Sequence, residues 1–478
     1  MRLYLAVILM VVSLLGLEYA RTGVQITQSY VGQTPVTEYA MAGADGPVVV
    51  VAHGFAGSQQ MMQGYEFPLA QAGYRVFAFD FLGHGRNPVP MAGDVTSVEG
   101  TTRLLVDQTS QVIDAVTDGK AKVALLGHSM ATDILVRVAA ERSDIGPIVL
   151  ISAFSNQITA TTPDDLLLIA GAWEPGLRDF ARSAVQMVDT AALPGMTAQN
   201  GTVLRRGIVA PYVEHVSVLQ SRAGRREAVD WIDRSFGRTS SVGIPPTGWA
   251  ILGLLAGLVL IFRRVAGFVP VSAGTDPQPR PWQTAVLILL PAVLAPVIAV
   301  PLNPHFLPVL VADYLGLHLF IYGALQLGLL QVWGLIRWRL SGAAFVVLLA
   351  WCAVFGIGLD RYAANFWPTS GRLWIIGVLL IGAVPYMLGD AILTARSGLL
   401  GRFCIRAGFL ASLGLAVALN FKALFFLVLI APVMVLFYLV YGTMGRDVAM
   451  RAGPIPAGLA LGVVLAWALG VSFPLFQS

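Results

Sequence analysis

The run Val123-Ala124-Leu125-Leu126-Gly127-His128-Ser129-Met130-Ala131 sets a serine at the tip of a turn. An apolar strand leads into it, and the stretch from Thr132 to Arg142 that follows has helical character. A strand–turn–helix of this kind strains the serine backbone and lifts its hydroxyl clear of the sheet, which is how a nucleophile is displayed. The residues two before and two after the serine must be small, because strand and helix cross closely there. Gly127 meets the requirement, and Ala131 is one methyl larger than the glycine the pattern favours. An alcohol is a weak nucleophile until a base takes its proton. The chemistry therefore needs a histidine, and a carboxylate to orient it.

The elements that would position such groups are legible up to about Phe236. Pro47–Ala52 reads as a buried strand ending in His53-Gly54-Phe55-Ala56-Gly57-Ser58, and a helix from Met61 to Ala72 follows. Tyr74–Asp80 is the next strand, ending in Phe81-Leu82-Gly83-His84-Gly85-Arg86. A helix near 101–117 precedes the strand that carries Ser129. Further strands fall at Pro147–Ser152, Leu166–Ala170 and Val203–Ala210, with a helix near Leu177–Val188, and His215 is expected to open a last helix to Phe236. Strands and helices alternating at these lengths imply a doubly wound, mostly parallel sheet.

The rest of the chain is different in kind. Of 478 residues, 56% are hydrophobic and 12% charged, a membrane-protein composition. Residues 1–245 hold 18 Lys+Arg and 22 Asp+Glu, and residues 246–478 hold 13 and 5, so the positive charge belongs to the second part. There arginines sit between apolar runs, which points to anionic lipid and topology setting rather than nucleic acid. Cys352 and Cys404 both lie in that part, leaving the first part without a disulfide framework or thiolate metal site. Residues 1–20 read as a signal peptide or signal anchor. Glu18 stands where a cleavage site ending at Ala20 would need a small residue, which favours an uncleaved anchor. Residues 30–236 form the water-soluble domain and 237–247 a Gly/Ser/Pro-rich linker.

From 248 to 478 eight apolar spans follow, at about 248–262, 283–302, 308–336, 342–359, 373–391, 404–419, 423–442 and 455–474. With the N-terminus inside, the inner loops hold Arg263, Arg264, Arg280, Arg337, Arg339, Arg396, Arg402, Arg406, Arg446 and Arg451. The outer loops hold only Arg361, Arg372 and Lys422, so the distribution obeys the positive-inside rule with the water-soluble domain extracytoplasmic. The expected location is a bacterial inner or plasma membrane. Asp313, His318 and Asp390 are the unusual polar residues of the spans, candidates for function or, for the two aspartates, for a hydrated span end. Gly323, Gly328 and Gly334 suit close helix packing.

Five segments, VVVVAHGFAGS, FAFDFLGHGRN, LLGHSMA, LLLIAGAWEP and VEHVSVL, stand in an order and spacing that resemble the α/β-hydrolase superfamily, closest to its esterase, lysophospholipase and serine-aminopeptidase-like members. The resemblance covers residues 47–236; the membrane part resembles no family we recognise. It implies the order serine, acid, histidine. Of the six histidines, only His215 lies after Ser129 and within the water-soluble domain. Glu174, at the end of the strand after Ser152, is the implied acid, with Asp179 as runner-up; Asp164 and Asp165 lie at the wrong end of that strand. The oxyanion donors would be the backbone N–H groups of Phe55 and Met130. His53, Asp80, His84, Gly85 and His128 are expected to shape the surrounding turns.

Little chain separates the strand ending near Ser152 from the next one, which leaves no room for a large cap. The membrane domain or the bilayer surface is the expected cover. The favoured activity is hydrolysis of an ester, perhaps lipid-derived, through an acyl-enzyme, with membrane lipids as partners and no metal or organic cofactor required. A peptidase or acyltransferase would use the same residues. A transporter or scaffold with a binding-only domain is the other class, since eight spans exceed what an anchor needs.

Overall fold

The computed structural model describes residues 2–91, 98–119, 121–272 and 276–476. Nine strands form one sheet: β1 (Val24–Val31), β2 (Thr34–Met41), β3 (Val48–Ala52), β4 (Arg75–Phe79), β5 (Val123–His128), β6 (Ile145–Ile151), β7 (Asp165–Gly171), β8 (Thr197–Asn200) and β9 (Val203–Ala210). Their order is β1-β2-β4-β3-β5-β6-β7-β9-β8. The six from β4 to β9 through the centre run parallel, and β1, β2 and β8 are antiparallel edges. The sheet is thus doubly wound and mostly parallel, as the sequence implies.

Why the central strands are unbroken apolar runs is plain from their two faces. Val50, Leu125, Leu150 and Leu168 enter one core, and their neighbours Val49, Leu126, Val149 and Ile169 enter the other. A strand covered on both sides needs apolar residues at every position. One face is covered by α3 (Arg103–Val116), α4 (Met130–Glu141) and α5 (Pro175–Gln186), through Leu105, Ile134, Leu135 and Ala184. The other is covered by α2 (Gln63–Gln71) and α6 (Arg222–Ser235), through Tyr65, Leu69, Val229 and Ile232. Only residues 152–164 connect β6 to β7, with no helix or strand among them.

An N-terminal helix, α1 (Arg2–Tyr19), lies along α7 (Thr247–Val265), where Gly257 admits the Met10 backbone. The remaining long helices are α8 (Pro281–Leu302), α9 (Ala312–Val332), α10 (Gly342–Tyr362), α11 (Ser370–Thr394), α12 (Leu399–Leu419), α14 (Ile430–Ala452) and α15 (Pro454–Ser472), with a single turn, α13 (Phe421–Leu424), between α12 and α14. Among the described residues, eight helices are long and apolar enough to cross a membrane, and α11 and α15 are the most enclosed by the others. The C-terminal region is therefore that of an integral membrane protein. The span expected at 423–442 lies inside a longer one, Phe421–Ala452: α14 runs on through Arg446 and Asp447 to Ala452, where Gly453 turns the chain. A run of apolar letters ends at the first charge, but a helix need not.

Of the three glycines expected at packing contacts, one is there. A Cβ on Gly323 would lie 2.3 Å from the Tyr386 nitrogen, whereas Gly328 faces open space and Gly334 makes a turn after α9 at φ +65°. The three polar residues singled out in the spans each find a partner. Asp313 accepts the Leu307 N–H at the start of α9, His318 bonds Tyr314 and Ser412, and Asp390 forms an ion pair with Arg406 at 3.0 Å.

The sheet and the helical bundle meet along one line of contacts. Arg86 pairs with Asp360 at 2.7 Å, and the Asn365 N–H donates to the Ser58 hydroxyl. The fully buried Arg372 guanidinium donates to the carbonyls of Gly83, Gly470 and Phe473. Leu475 donates to Gly83, Met91 donates to Leu475, and Phe476 donates to Pro308, so the C-terminal segment is stitched between both regions. Every bundle group in these contacts comes from the end of the bundle at which α7 begins.

The α9–α11 contact is tight enough to test. A Cβ on Gly382 would lie 2.2 Å from the Gly316 carbonyl oxygen. Gly382→Leu is expected to destabilise the detergent-solubilised protein by at least the ~1–3 kcal/mol typical of overpacking. An unchanged thermal midpoint would show that these helices are not in register.

Candidate active site

Ser129 stands between β5 and α4 with φ 54° and ψ −116°, outside the regions comfortable for a side-chain-bearing residue. The close crossing of strand and helix enforces this. A Cβ on Gly127 would lie 2.6 Å from the Leu135 side chain and 3.2 Å from the Ala131 Cβ. The extra methyl of Ala131 fits, fully buried, because Gly127 has none.

The Ser129 hydroxyl donates to His215 Nε2 at 2.8 Å, and His215 Nδ1 donates to Glu174 Oε1 at 2.6 Å. The three residues named from the sequence thus come together in one hydrogen-bonded line, while Asp179 pairs with Arg182 on the surface, away from it. The second carboxylate oxygen of Glu174 accepts the Gly171 N–H and the Ser152 hydroxyl, each at 2.7 Å. Burial pushes the Glu174 carboxyl upward, but the bonds from His215, Gly171 and Ser152 together hold it below the ordinary glutamate range. It is a charge kept in a buried place by donors on every side. Gly171 is needed for that approach, since a Cβ there would lie 2.6 Å from the Val213 carbonyl and 3.0 Å from Glu174 Oε2.

His215 does not open a helix, contrary to expectation. It lies in a turn ahead of a short 3-10 segment, Ser217–Gln220, and the last helix starts only at Arg222. The turn is fixed by Glu214, whose carboxylate accepts the N–H groups of Val216 and Ser217. From the other side His128 Nε2 donates to the His215 carbonyl at 2.8 Å. Ser152 is a contributor that the sequence does not single out, whereas His128, expected to shape a turn, does so here at His215. Both sit at C-terminal strand ends, and that position is the available signal.

Phe55 and Met130 flank the serine, and a Cβ on Gly54 would lie 3.0 Å from the Ser129 Cβ. Among the described residues, neither the Phe55 nor the Met130 N–H has a partner within the chain. His53 holds the Phe55 loop: its Nδ1 donates to the Gly54 carbonyl and its Nε2 accepts the Phe81 N–H. Asp80 accepts from the Gln59 and Arg86 backbones, and Gly85 approaches it too closely for any side chain. Phe55 also packs on His84 and, from the helical region, on Phe426 at a centroid distance of 5.7 Å. No group of three or more His, Cys, Asp or Glu among the described residues is placed to hold a metal ion.

Such buried histidines leave a mark on stability. Burial pushes His128 down to about 4 and His84 down to about 3, so both stay neutral in the folded chain, whereas a histidine in an unfolded chain takes a proton near pH 6.5. Their folded values are depressed, so the stability they contribute is complete above pH 6.5 and is lost as pH falls toward 4. The loss is on the order of 1 kcal/mol per pH unit for each histidine. His128→Gln should flatten the decline of the unfolding midpoint between pH 6.5 and 4; an identical slope would contradict this protonation state.

A family model agrees with the architecture of the sheet-bearing region. Residues 47–231 match the family model of the alpha/beta hydrolase fold. No curated protein matches the chain. Among solved structures, a predicted CIB-like hydrolase from Thermoplasma acidophilum is 16% identical, covering 44% of this chain and 98% of its own, with a TM-score of 0.35. Dienelactone hydrolase from Anabaena variabilis is 18% identical over 45% and 99%, with a TM-score of 0.33. A laboratory-evolved variant of potato epoxide hydrolase is 13% identical over 44% and 99%, with a TM-score of 0.34.

Proposed function

We propose that this chain, whose residues 47–231 match the α/β hydrolase fold, is a membrane-bound serine hydrolase that cleaves an ester through an acyl-enzyme. The fold match supports a hydrolase. The observation that carries the finer reading is the unbroken line of hydrogen bonds from Ser129 Oγ through His215 to the buried Glu174.

In the first half-reaction Ser129 Oγ bonds to the ester carbonyl carbon as His215 Nε2 takes its proton. The carbonyl oxygen, now negative, lies toward the free N–H groups of Phe55 and Met130. The bond to the alcohol then breaks, and the alcohol leaves with the proton from His215. Water repeats the sequence: it gives a proton to His215, attacks the acyl carbon and releases the acid, and the proton returns to Ser129. Glu174 stabilises the imidazolium and fixes its tautomer without itself being protonated. In the proposed topology the hydrolase region is extracytoplasmic, because it sits at the bundle end opposite the arginine-rich loops.

Turnover of a short soluble ester by the purified protein tests the assignment. Ser129→Ala and His215→Ala should each cost about 10³-fold or more in kcat, and the double variant little beyond that. Ser152→Ala, which removes one donor to a charged carboxylate, should cost about tenfold. Full activity in Ser129→Ala would refute the proposal.

A further inference from the structure

The C-terminal edge of the central sheet, which carries the site, is divided between two environments. The loops after β3 and β4 rest on the helical bundle, through Ser58 on Asn365, Gly83 on Arg372, Arg86 on Asp360 and Phe55 on Phe426. Among the described residues the loops after β6 and β7 have no such support, and the segment after β9 meets the bundle at its far end, where Thr247 of α7 bonds Gln220; all three carry large exposed apolar side chains. Phe154 is 57% exposed, Trp173 65%, Tyr212 84% and Val216 53%. They ring the site. Trp173 precedes Glu174, Tyr212 and Val216 stand either side of His215, and Phe154 is hydrogen-bonded to Thr132, whose hydroxyl also reaches the Ser129 carbonyl.

The bundle contacts all come from one end of the membrane-crossing helices, which is the level of one membrane surface. The part of that edge that the bundle does not support would then lie over the lipid beside it. Four exposed apolar groups on loops that would otherwise face water are costly there, whereas tryptophan and tyrosine suit the interfacial layer. Among the described residues, the connection that could carry a cap over this half, 152–164, is short and holds no helix or strand.

We propose that this overhanging half rests on the bilayer through Phe154, Trp173, Tyr212 and Val216, and that the substrate is an ester of a membrane lipid reaching Ser129 directly from the leaflet. This rests on the serine-hydrolase reading for its chemistry, but not for its docking geometry. The acyl carbonyl need rise only to the level of Ser129, with its chain still in the leaflet. The bilayer serves as the missing lid.

Two measurements on the full chain in phosphatidylcholine:phosphatidylglycerol vesicles decide it. The first compares turnover of a fluorogenic phospholipid ester in the vesicle with that of a short soluble ester. In Trp173→Ser/Tyr212→Ser the ratio of lipid to soluble turnover should fall at least tenfold; an unchanged ratio overturns the proposal. The second places an environment-sensitive fluorophore at Tyr212→Cys in a Cys404→Ser background. Blue-shifted emission quenched by nitroxide lipids is expected, and water-like, unquenched emission overturns the docking. A wild-type protein that turns over neither ester overturns the serine-hydrolase reading instead, while the fluorophore still judges the docking.

Discussion

One buried carboxylate joins the parts of this site. Glu174 takes donors from three different strands' ends: Ser152 after β6, the Gly171 N–H closing β7, and His215 beyond β9. Each strand end is fixed by a parallel sheet whose central strands are apolar on both faces. A carboxylate in such a place is costly unless its oxygens are satisfied, and here the donors that satisfy it are also those that align the histidine. The tie between Ser129 and the rest of the fold therefore runs through packing that lies far from the hydroxyl itself.

The second constraint is the joint between sheet and bundle. Arg372, with no exposure to water, is held by carbonyls of both regions, and the segment at Leu475–Phe476 pairs with Met91 on one side and Val309 on the other. Phe55, which follows the Gly54 that approaches Ser129, is packed against Phe426. The helical bundle is thus more than a tether. It supports the loop that carries Phe55.

Much of this was legible in the amino-acid order. The central strands declare themselves as apolar runs because both faces are buried, and the serine turn because Gly127 and Ala131 are the only sizes the crossing admits. Glu174 and His215 follow from their places after β7 and β9. Three things were not legible. The hairpin β1–β2 and the edge strand β8 carry no apolar alternation, since β1 is largely exposed and β8 has four residues. The turn at His215 depends on Glu214 folding back on its own backbone, a local bond that a helical pattern conceals. The contribution of Ser152 depends on a pairing across the sheet, which no local spacing encodes.

The most direct measurement is covalent labelling of the membrane-embedded chain with a fluorophosphonate, followed by mass mapping of the modified peptide. A fluorophosphonate reacts with a serine whose proton is drawn away by a base. The account predicts a single adduct on Ser129, absent when His215 is replaced by alanine. No adduct on the folded wild-type chain, or one that persists without His215, would contradict it.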